Sequence, residues 1–480
     1  MMGSEYDAIV VGAGPNGLAA AITLRQAGLS VLLIEGSDKP GGGLRTEELT
    51  LPGYYHDRCS AIHPLAASSP FFSQLPLDKY GLEFIDPPVA AAHPFDDGTA
   101  AVLTGSVEDT ARLLGRDRAA YQKLIGDLVG DWPAIAPDVL GPLRVPREPW
   151  PMLRFGLKAI QAASRIADRF ATKEARGLWA GMAGHSILPL RKPLTSAIGM
   201  VLMALAHHRG WPVPKGGSQA IANSMLAYFE DLGGETQTGV YVRSLSELPR
   251  ARALLFDVTP RQMLSIAGDH LSPMYSKQLR AYRYGMGVFK IDYALDGPVP
   301  FRAEACGQAG TVHLGNTFEE IAQAEYQSYK GRHPEKPFVL LAQQSLFDQT
   351  RAPEGKHTLW AYCHVPRGST VDMSEAIEKQ IERFAPGFRD RVIARHTMNT
   401  REMEAYNPNY VGGDINGGVI SPRQLFTRPS LSLSPYRTSV KGLYFCSSST
   451  PPGGGVHGMC GYHAAARALK DEFGLKVKPL

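Results

Sequence analysis

The fold is decided by residues 7–35, which read Asp7-Ala-Ile-Val-Val-Gly-Ala-Gly-Pro-Asn-Gly-Leu-Ala-Ala-Ala-Ile-Thr-Leu-Arg-Gln-Ala-Gly-Leu-Ser-Val-Leu-Leu-Ile-Glu35. Residues 7–11 are short, apolar and β-branched, which predicts a buried parallel strand. Residues 18–27 favour a helix, and residues 29–34 predict a second strand. A strand, a glycine-rich turn, a helix and a second strand form the βαβ unit of a Rossmann-type fold.

The glycines of this unit each have a mechanical reason. Gly12 makes a tight turn, Gly14 lets a pyrophosphate approach the backbone, and Gly17 lets the helix pack against the strand. Glu35 stands where a carboxylate accepts hydrogen bonds from both hydroxyls of a ribose. The sequence therefore predicts a dinucleotide site that contains Gly12, Ala13, Gly14, Pro15, Asn16, Gly17, Glu35 and Gly36.

A second glycine cluster, residues 39–46, follows the acid closely. Here the chain resembles the FAD enzymes that include the amine oxidases and the carotenoid (phytoene) desaturases, whose pattern is an acid followed by G-G-x-x-x-[ST]. Amine oxidases commonly carry an arginine directly after the two glycines, whereas this chain has Gly43 there and a basic residue only at Arg45. The resemblance implies FAD as the cofactor, with Gly42, Gly43, Leu44 and Arg45 beside its pyrophosphate and flavin.

The resemblance returns at residues 211–245, where the family's chain re-enters its FAD domain. It implies that Val242 lies against the adenine. Taken alone, these residues fit an ordinary helix–strand connection equally well.

The C-terminal part carries the family's third FAD motif, a strand and then Pro451-Pro-Gly-Gly-Gly-Val-His-Gly458. With residues 407–418, it resembles the phytoene-desaturase-like branch that includes the pyridine nucleotide-disulfide oxidoreductase domain-containing protein 2 group. A helix that begins after these glycines would present a partial positive charge to reduced flavin. Ser447-Ser448 replaces the family's usual Gly-Asp pair. The resemblance implies flavin contacts by Ser448, Gly455, Val456, His457 and Gly458.

The predicted fold class is α/β, a Rossmann-type FAD-binding domain with an interleaved substrate domain of antiparallel sheet plus helical lid. Its predicted parts are FAD-binding segments 1–74, 211–274 and 406–480, a helical lid 75–210 and a sheet segment 275–405.

The leading functional hypothesis is dehydrogenation or desaturation of an apolar or amphipathic substrate (polyene, isoprenoid or lipid-like) by hydride transfer to flavin N5. His457 and Asp414 are the catalytic candidates, although each also fits a structural role. The alternatives are a flavin amine oxidase, for which Lys290 is the lysine candidate, and a flavin-binding partner or chaperone protein. We expect O2 or a quinone as electron acceptor and consider a homodimer.

Composition excludes several classes of protein. A net charge of +4 on 480 residues does not favour nucleic acid. Five scattered cysteines without a C-x-x-C pair predict reduced thiols, no metal site and no disulfide chemistry. The early first strand leaves no room for a signal peptide, so a cytoplasmic protein is expected.

One segment raises the question of membrane contact. Residues 153–170 predict a single amphipathic helix with Arg154, Lys158, Arg165 and Arg169 on one face. Such a basic face either is simply solvated or lies on an anionic membrane surface. The longest uncharged apolar run, residues 197–206, is about half the length of a bilayer span.

Overall fold

The computed structural model describes residues 5–477 and residue 480. Within them the strands are β1 (Tyr6–Val11), β2 (Val31–Ile34), β3 (Thr46–Glu48), β4 (Tyr55–Asp57), β5 (Phe84–Ile85), β6 (Val89–Pro94), β7 (Ala100–Leu103), β8 (Val213–Pro214), β9 (Glu235–Gln237), β10 (Ala251–Phe256), β11 (Gly287–Leu295), β12 (Ala309–Leu314), β13 (Val339–Ala342), β14 (His357–Val365), β15 (Val392–Met398) and β16 (Leu443–Phe445). Most of them belong to two sheets, one of five strands and one of seven.

The five-stranded sheet has the order β16-β10-β1-β2-β9, and all of its pairs are parallel. Its central strands β1 and β2 are almost completely buried, as expected for the continuous apolar runs that form them. Its strands come from three separated stretches of the chain. The predicted Rossmann-type α/β fold with an interleaved second part is therefore confirmed, while the individual domain boundaries stay predictions.

The seven-stranded sheet has the order β15-β11-β14-β13-β12-β6-β7 and is antiparallel except for the pair β6 and β12. Strand β11 lies in the segment 275–405 that was predicted to supply this sheet. Strands β6 and β7, however, come from the stretch 75–210 that was predicted as a mainly helical lid. They are rich in alanine, which has weak strand preference, and they form strands because β6 pairs with β12 on one side and with β7 on the other.

The helices are α1 (Pro15–Gln26), α2 (Pro64–Ala67), α3 (Val107–Leu113), α4 (Arg118–Tyr121), α5 (Asp127–Val139), α6 (Pro149–Ala159), α7 (Ala163–Ala167), α8 (Lys173–Gly184), α9 (Thr195–Arg209), α10 (Gln219–Asp231), α11 (Pro260–Ala267), α12 (Pro273–Arg280), α13 (Phe318–Tyr329), α14 (Ser374–Phe384), α15 (Thr400–Tyr406), α16 (Pro422–Phe426) and α17 (Met459–Ala468). Helices α3 to α9 lie in the stretch 75–210 that was predicted as the lid, and they are called the lid helices below.

Helices α1 and α17 pack directly against each other, so the two ends of the chain meet. Their closest approach is at Gly461, where an added Cβ would lie 1.8 Å from the carbonyl oxygen of Asn16. Only glycine fits there. The contact between α1 and α17 places the glycine-rich loop before α17 beside the glycine-rich turn before α1. These two segments together form part of the cavity described in the next section.

The single helix predicted for residues 153–170 is wrong, because the chain breaks between α6 and α7. The carbonyl of Ile160 accepts a hydrogen bond from Leu194 N–H, and the carbonyl of Gln161 accepts one from the Ser196 hydroxyl. These groups at the start of α9 satisfy carbonyls that a continuing helix would have used.

The uncharged run 197–206 lies in α9, which packs between α8 and α5 inside the lid. Among the described residues there is no helix whose length and hydropathy would let it cross a bilayer.

Candidate cofactor and active site

A cavity of about 480 Å³, the first cavity, lies at the carboxyl ends of β1, β2 and β10. In open parallel sheets this edge is where ligands bind. All of the glycine-rich segments singled out in the sequence reach it. The predicted residues in its wall are Gly12, Gly14, Pro15, Asn16, Glu35, Gly36, Gly42, Gly43, Leu44, Arg45, Val242, Ser448, Gly455 and Val456.

The turn between β1 and α1 has the geometry that its glycines predict. Gly12 has φ +99°, and its N–H donates to Ile34 O at 2.7 Å. An added Cβ at Gly17 would lie 1.8 Å from Gly12 O. No side chain caps the start of α1 at Gly14. The helix therefore turns its N-terminus toward the cavity without a cap from Gly14, which suits a pyrophosphate, while the N–H of Gly17 in its first turn bonds the carboxyl of Asp257.

Glu35 stands at the end of β2 and is 9% exposed. Its Oε2 accepts from Ala13 N–H at 2.7 Å, and its Oε1 accepts from Arg45 Nη2 at 3.1 Å. Ser37 N–H also donates to Oε1 at 3.0 Å, so about one of the roughly four acceptor positions of the carboxylate remains for a ribose hydroxyl. Ala13 itself lies behind the cavity wall and fixes the carboxylate through its backbone.

Gly42 and Gly43 allow two close contacts in the wall. An added Cβ at Gly42 would lie 3.1 Å from Gly14 Cα, and one at Gly43 would lie 2.2 Å from the hydroxyl oxygen of Tyr410. The second contact explains why a glycine occupies the place where amine oxidases commonly have arginine. Arg45 instead turns back to Glu35 and lies 5.3 Å from the centre of the Tyr406 ring.

The C-terminal loop reaches the cavity through Ser448, Gly455 and Val456. The two serines that replace the family's Gly-Asp pair have different environments. Ser447 is buried and donates to Val258 O at 2.7 Å, whereas the Ser448 hydroxyl accepts from Asn16 Nδ2 at 3.4 Å. Ser448 is thus the member of the pair that lines the first cavity.

The residues present fit an extended dinucleotide. Asn16 Oδ1 is buried without a hydrogen-bond partner among the described residues, although Asn16 lines the cavity. A buried acceptor of this kind is costly unless a ligand or water satisfies it. The glycine backbone of the wall leaves a cradle that side chains would fill, and Glu35 offers acceptors at one end.

His457 lies just behind the cavity wall and is 1% exposed. Its Nδ1 accepts from Met459 N–H at 3.0 Å, so its Nε2 carries the proton and donates to Gly453 O at 3.2 Å. Burial lowers its pKa to about 4. Both ring nitrogens are thus engaged in shaping the loop, which favours a positioning role; its catalytic role stays a prediction. Gly458 lies behind the wall too, with φ +68° at the start of α17.

Asp414 is also buried and fully engaged. Its Oδ2 accepts from Gly285 N–H at 2.6 Å and its Oδ1 from Asn416 N–H at 2.8 Å. Burial raises the pKa of its carboxyl. It does not line the first cavity, so the geometry favours a role in holding the loop; its catalytic role stays a prediction.

The side chain of Arg428 stabilises the loop that follows Asp414. Its guanidinium donates to the carbonyls of Asn416, Gly417, Gly418 and Ser448. It thereby ties residues 416–418 to the C-terminal loop at Ser448, a role that the sequence did not predict for it.

Asp257 is a cavity residue that the motifs miss. It follows β10 directly, as Glu35 follows β2, and its Oδ2 accepts from Gly17 N–H at 3.1 Å. Burial, with a smaller contribution from the Glu35 charge, raises its pKa to about 7. Its place after a buried parallel strand was the signal that could have found it.

Lys290, the lysine candidate of the amine oxidase alternative, lies outside the wall of the first cavity. Its Nζ forms an ion pair with Asp292, and both side chains are almost completely buried. Burial lowers the pKa of Lys290, while Asp292 opposes that shift.

Comparison with known proteins agrees with this geometry. Residues 10–75 match the NAD(P)-binding Rossmann-like domain family. Pyridine nucleotide-disulfide oxidoreductase domain-containing protein 2 of Mus musculus is 27% identical over 97% of this chain and 94% of its own length. A lycopene-forming phytoene desaturase of Paracoccus sp. is 24% identical over 95% of each chain.

Two solved structures have the same fold. An oxidoreductase of Methanosarcina mazei superposes with a TM-score of 0.66 at 15% identity, over 96% of this chain and 99% of its own. A putrescine oxidase double mutant superposes with a TM-score of 0.64 at 19% identity, over 97% and 99%. The chain is therefore a Rossmann-type oxidoreductase that is similar in sequence to the phytoene desaturases over nearly its whole length and similar in fold to putrescine oxidase.

Proposed function

We propose that the chain is an FAD-dependent oxidoreductase that dehydrogenates or desaturates an apolar or amphipathic substrate, such as a polyene, an isoprenoid or a lipid. One observation carries the proposal. A single cavity joins Glu35 and Val242 at one end to Ser448 and Gly455 at the other. Segments from both ends of the chain thus contribute to one site, as a single long dinucleotide requires.

Each part of the cavity suits one part of FAD. Glu35 would accept from a ribose hydroxyl, and Val242 would contact the adenine. The turn Gly12–Gly17 and the N-terminus of α1 would hold the pyrophosphate. Gly455 and Val456, which precede α17, would hold the flavin.

The flavin, when bound, supplies the hydride acceptor at N5. The chain's own contribution is position, charge and exclusion of water. The N-terminus of α17 lies behind Gly455 and adds partial positive charge on that side of the cavity. His457, with its pKa near 4, is neutral at physiological pH and keeps the loop in place without adding a charge.

The relatives support a desaturase more than an amine oxidase. The phytoene desaturases match nearly the whole chain in sequence, whereas the putrescine oxidase likeness is one of fold. The ion pair of Lys290 with Asp292, away from the first cavity, also gives the amine oxidase alternative no support.

The experiment begins with the absorption spectrum of the purified protein and of the supernatant after denaturation. We expect a flavin band and the release of FAD rather than FMN. Anaerobic addition of polyene and acyl substrates should then bleach the band, and air or a quinone should restore it. A protein that neither carries nor takes up FAD contradicts the proposal, and bleaching by amines alone would favour the amine oxidase.

We also propose that α6 touches a membrane surface. Along this helix Trp150, Leu153 and Leu157 are 75%, 50% and 62% exposed, and Ile160, which follows it, is 60% exposed. Their spacing puts them on one face. Arg154, which is ion-paired with Asp131, lies beside this face, and Arg165 and Arg169 are exposed in the segment after it. An exposed apolar face flanked by cations suits the interface of an anionic bilayer.

A further inference from the structure

A second cavity of about 680 Å³ lies on the other side of the Asp414 loop from the first. Lid, sheet and C-terminal part all contribute to it. Its wall comes from the loop before α9, the residues before β11, the end of α13, the residues after β14 and the segment 419–422.

The wall of the second cavity is strongly basic. Lys192, Arg283 and Arg367 line it, and none of the described residues in the wall is acidic. In the described part of the chain, none of these three cations forms an ion pair. A cluster of unpaired like charges around a concave site raises the local concentration of anions.

Tyr329 also lines the second cavity, and its hydroxyl is affected by the positive charge of the wall. Lys192 Nζ donates to it at 2.5 Å and lies 3.8 Å from the centre of its ring. The hydrogen bond from Lys192, and then the charges of Lys192, Lys330 and Arg283, lower the pKa of Tyr329.

The remainder of the wall is apolar and includes Leu188, Met286, Val419 and Ile420. Leu188 and Met286 are buried, so this part lies deeper than the exposed guanidinium groups of Arg283 and Arg367. The cavity is thus cationic at its exposed rim and apolar in its buried part, which suits a ligand with a charged head and an apolar chain.

The segment between the two cavities is short. Ile415 and Asn416 line the first cavity, whereas Val419 and Ile420 line the second. We call this segment, residues 414–420, the partition. Asp414 accepts a hydrogen bond from Gly285 N–H, and Val419 N–H donates to Arg283 O at 3.0 Å, so both ends of the partition are held by the residues before β11. The second cavity therefore adjoins the end of the first cavity where Gly455 and Ser448 lie.

We propose that the second cavity binds the anionic head of an amphipathic substrate, a carboxylate or phosphate monoester, with Lys192, Arg283 and Arg367, and directs its apolar chain toward the partition. This inference deepens the proposed function and rests on it, because it names the class of substrate that the flavin site would oxidise.

Calorimetry on the FAD-loaded protein tests the inference with octyl phosphate, octanoate, octanol and inorganic phosphate, each below its micelle concentration. We expect octyl phosphate or octanoate to bind at least about tenfold more tightly than octanol or inorganic phosphate, because head and chain contribute together. The order of the two octyl anions tells which head group is preferred.

Two triple variants give a matched comparison. Lys192→Gln, Arg283→Gln and Arg367→Gln together should weaken octyl phosphate binding about tenfold or more and leave octanol binding unchanged. Lys277→Gln, Arg280→Gln and Arg401→Gln, which replace exposed cations elsewhere, should change neither. Raising the NaCl concentration from about 0.05 to 0.5 M should weaken octyl phosphate binding to wild-type protein but not octanol binding.

Octanol binding as tightly as the anion, inorganic phosphate binding as tightly as octyl phosphate, or the two triple variants binding alike would each overturn the inference. The flavin band is measured on the same samples. Loss of the binding difference with an intact, bleachable flavin refutes this inference alone, whereas anion binding to a protein that takes up no FAD refutes the proposed function alone.

Discussion

The backbone N–H of Gly17 donates a hydrogen bond to Oδ2 of Asp257 at 3.1 Å, which ties the glycine-rich turn between β1 and α1 to the end of β10. The carboxyl lies in the wall of the first cavity and close to the Glu35 charge. A carboxylate beside a phosphate site is unfavourable when ionised. The protonation of Asp257 should therefore control both stability and cofactor affinity.

The first prediction concerns the pH dependence of stability. Burial raises the pKa of Asp257 from 3.8 to about 7 in the folded protein. Its stabilisation is fully present below the unfolded pKa and is lost as the pH rises through about 7. Between pH 5 and 8, the free energy of unfolding of the ligand-free protein should fall by roughly 2–3 kcal/mol relative to Asp257→Asn. Urea unfolding of both proteins measures this, and parallel pH profiles would contradict it.

Glu35 is the subject of the second prediction. Glu35→Gln removes the charge that accepts from Ala13 N–H and Arg45 and leaves the side-chain size unchanged. We expect FAD affinity to fall by about tenfold or more, since charged hydrogen bonds contribute on the order of 1.5–3 kcal/mol. Titration of apoprotein with FAD measures the change. The exposed Glu230→Gln serves as control, and equal affinities in both variants would reject the assignment.

The third prediction separates the two roles of His457. In His457→Gln the amide still offers one acceptor and one donor for Met459 N–H and Gly453 O. If the ring only shapes the loop, the anaerobic bleaching rate should stay within about threefold of wild type and its pH profile should not shift. If His457 instead acts as a base in the reaction, the bleaching rate of His457→Gln should fall by on the order of 100-fold. Stopped-flow reduction from pH 6 to 9 distinguishes these outcomes.

The parts of this molecule that the sequence predicts are those in which local residue types restrict the backbone. Gly12 at φ +99° and the close approach at Gly17 leave little choice but glycine, so the turn is visible in the sequence. Glu35 is found by its place after β2. Val242 and Ser448 could be assigned to the site through the family resemblance, and they do line the first cavity.

The features that the sequence misses depend on contacts between distant residues. Strand β6 does not resemble a strand in the sequence, because its alanines form one only through pairing with β12 and β7. The break after α6 depends on hydrogen bonds from Leu194 and Ser196. The buried guanidinium of Arg428 donates to carbonyls on two separate loops, and no local sequence pattern reveals which carbonyls accept these hydrogen bonds.

The fourth prediction concerns the buried guanidinium of Arg428. Arg428→Lys keeps the charge but cannot satisfy several carbonyls in one plane, so buried acceptors lose their partners. We expect the free energy of unfolding to fall by about 2–4 kcal/mol, together with a lower bound fraction of FAD. Urea unfolding and the flavin absorbance measure both effects. Arg423→Lys, at an exposed position, is the control, and equal stability of the two variants would refute the role of Arg428.

The fifth prediction tests whether α6 meets a membrane. Leu153→Gln, Leu157→Gln and Ile160→Gln together remove apolar groups from its exposed face. Burying each side chain is worth roughly 1.5–3 kcal/mol, so membrane partitioning should fall by more than about 100-fold. Flotation with phosphatidylglycerol vesicles measures it. The control replaces Leu113, Met274 and Ile393, which are similarly exposed on other surfaces, with glutamine. If wild-type protein does not float, or if both triple variants float as it does, then α6 is a solvated face of the lid and the proposed membrane contact is wrong.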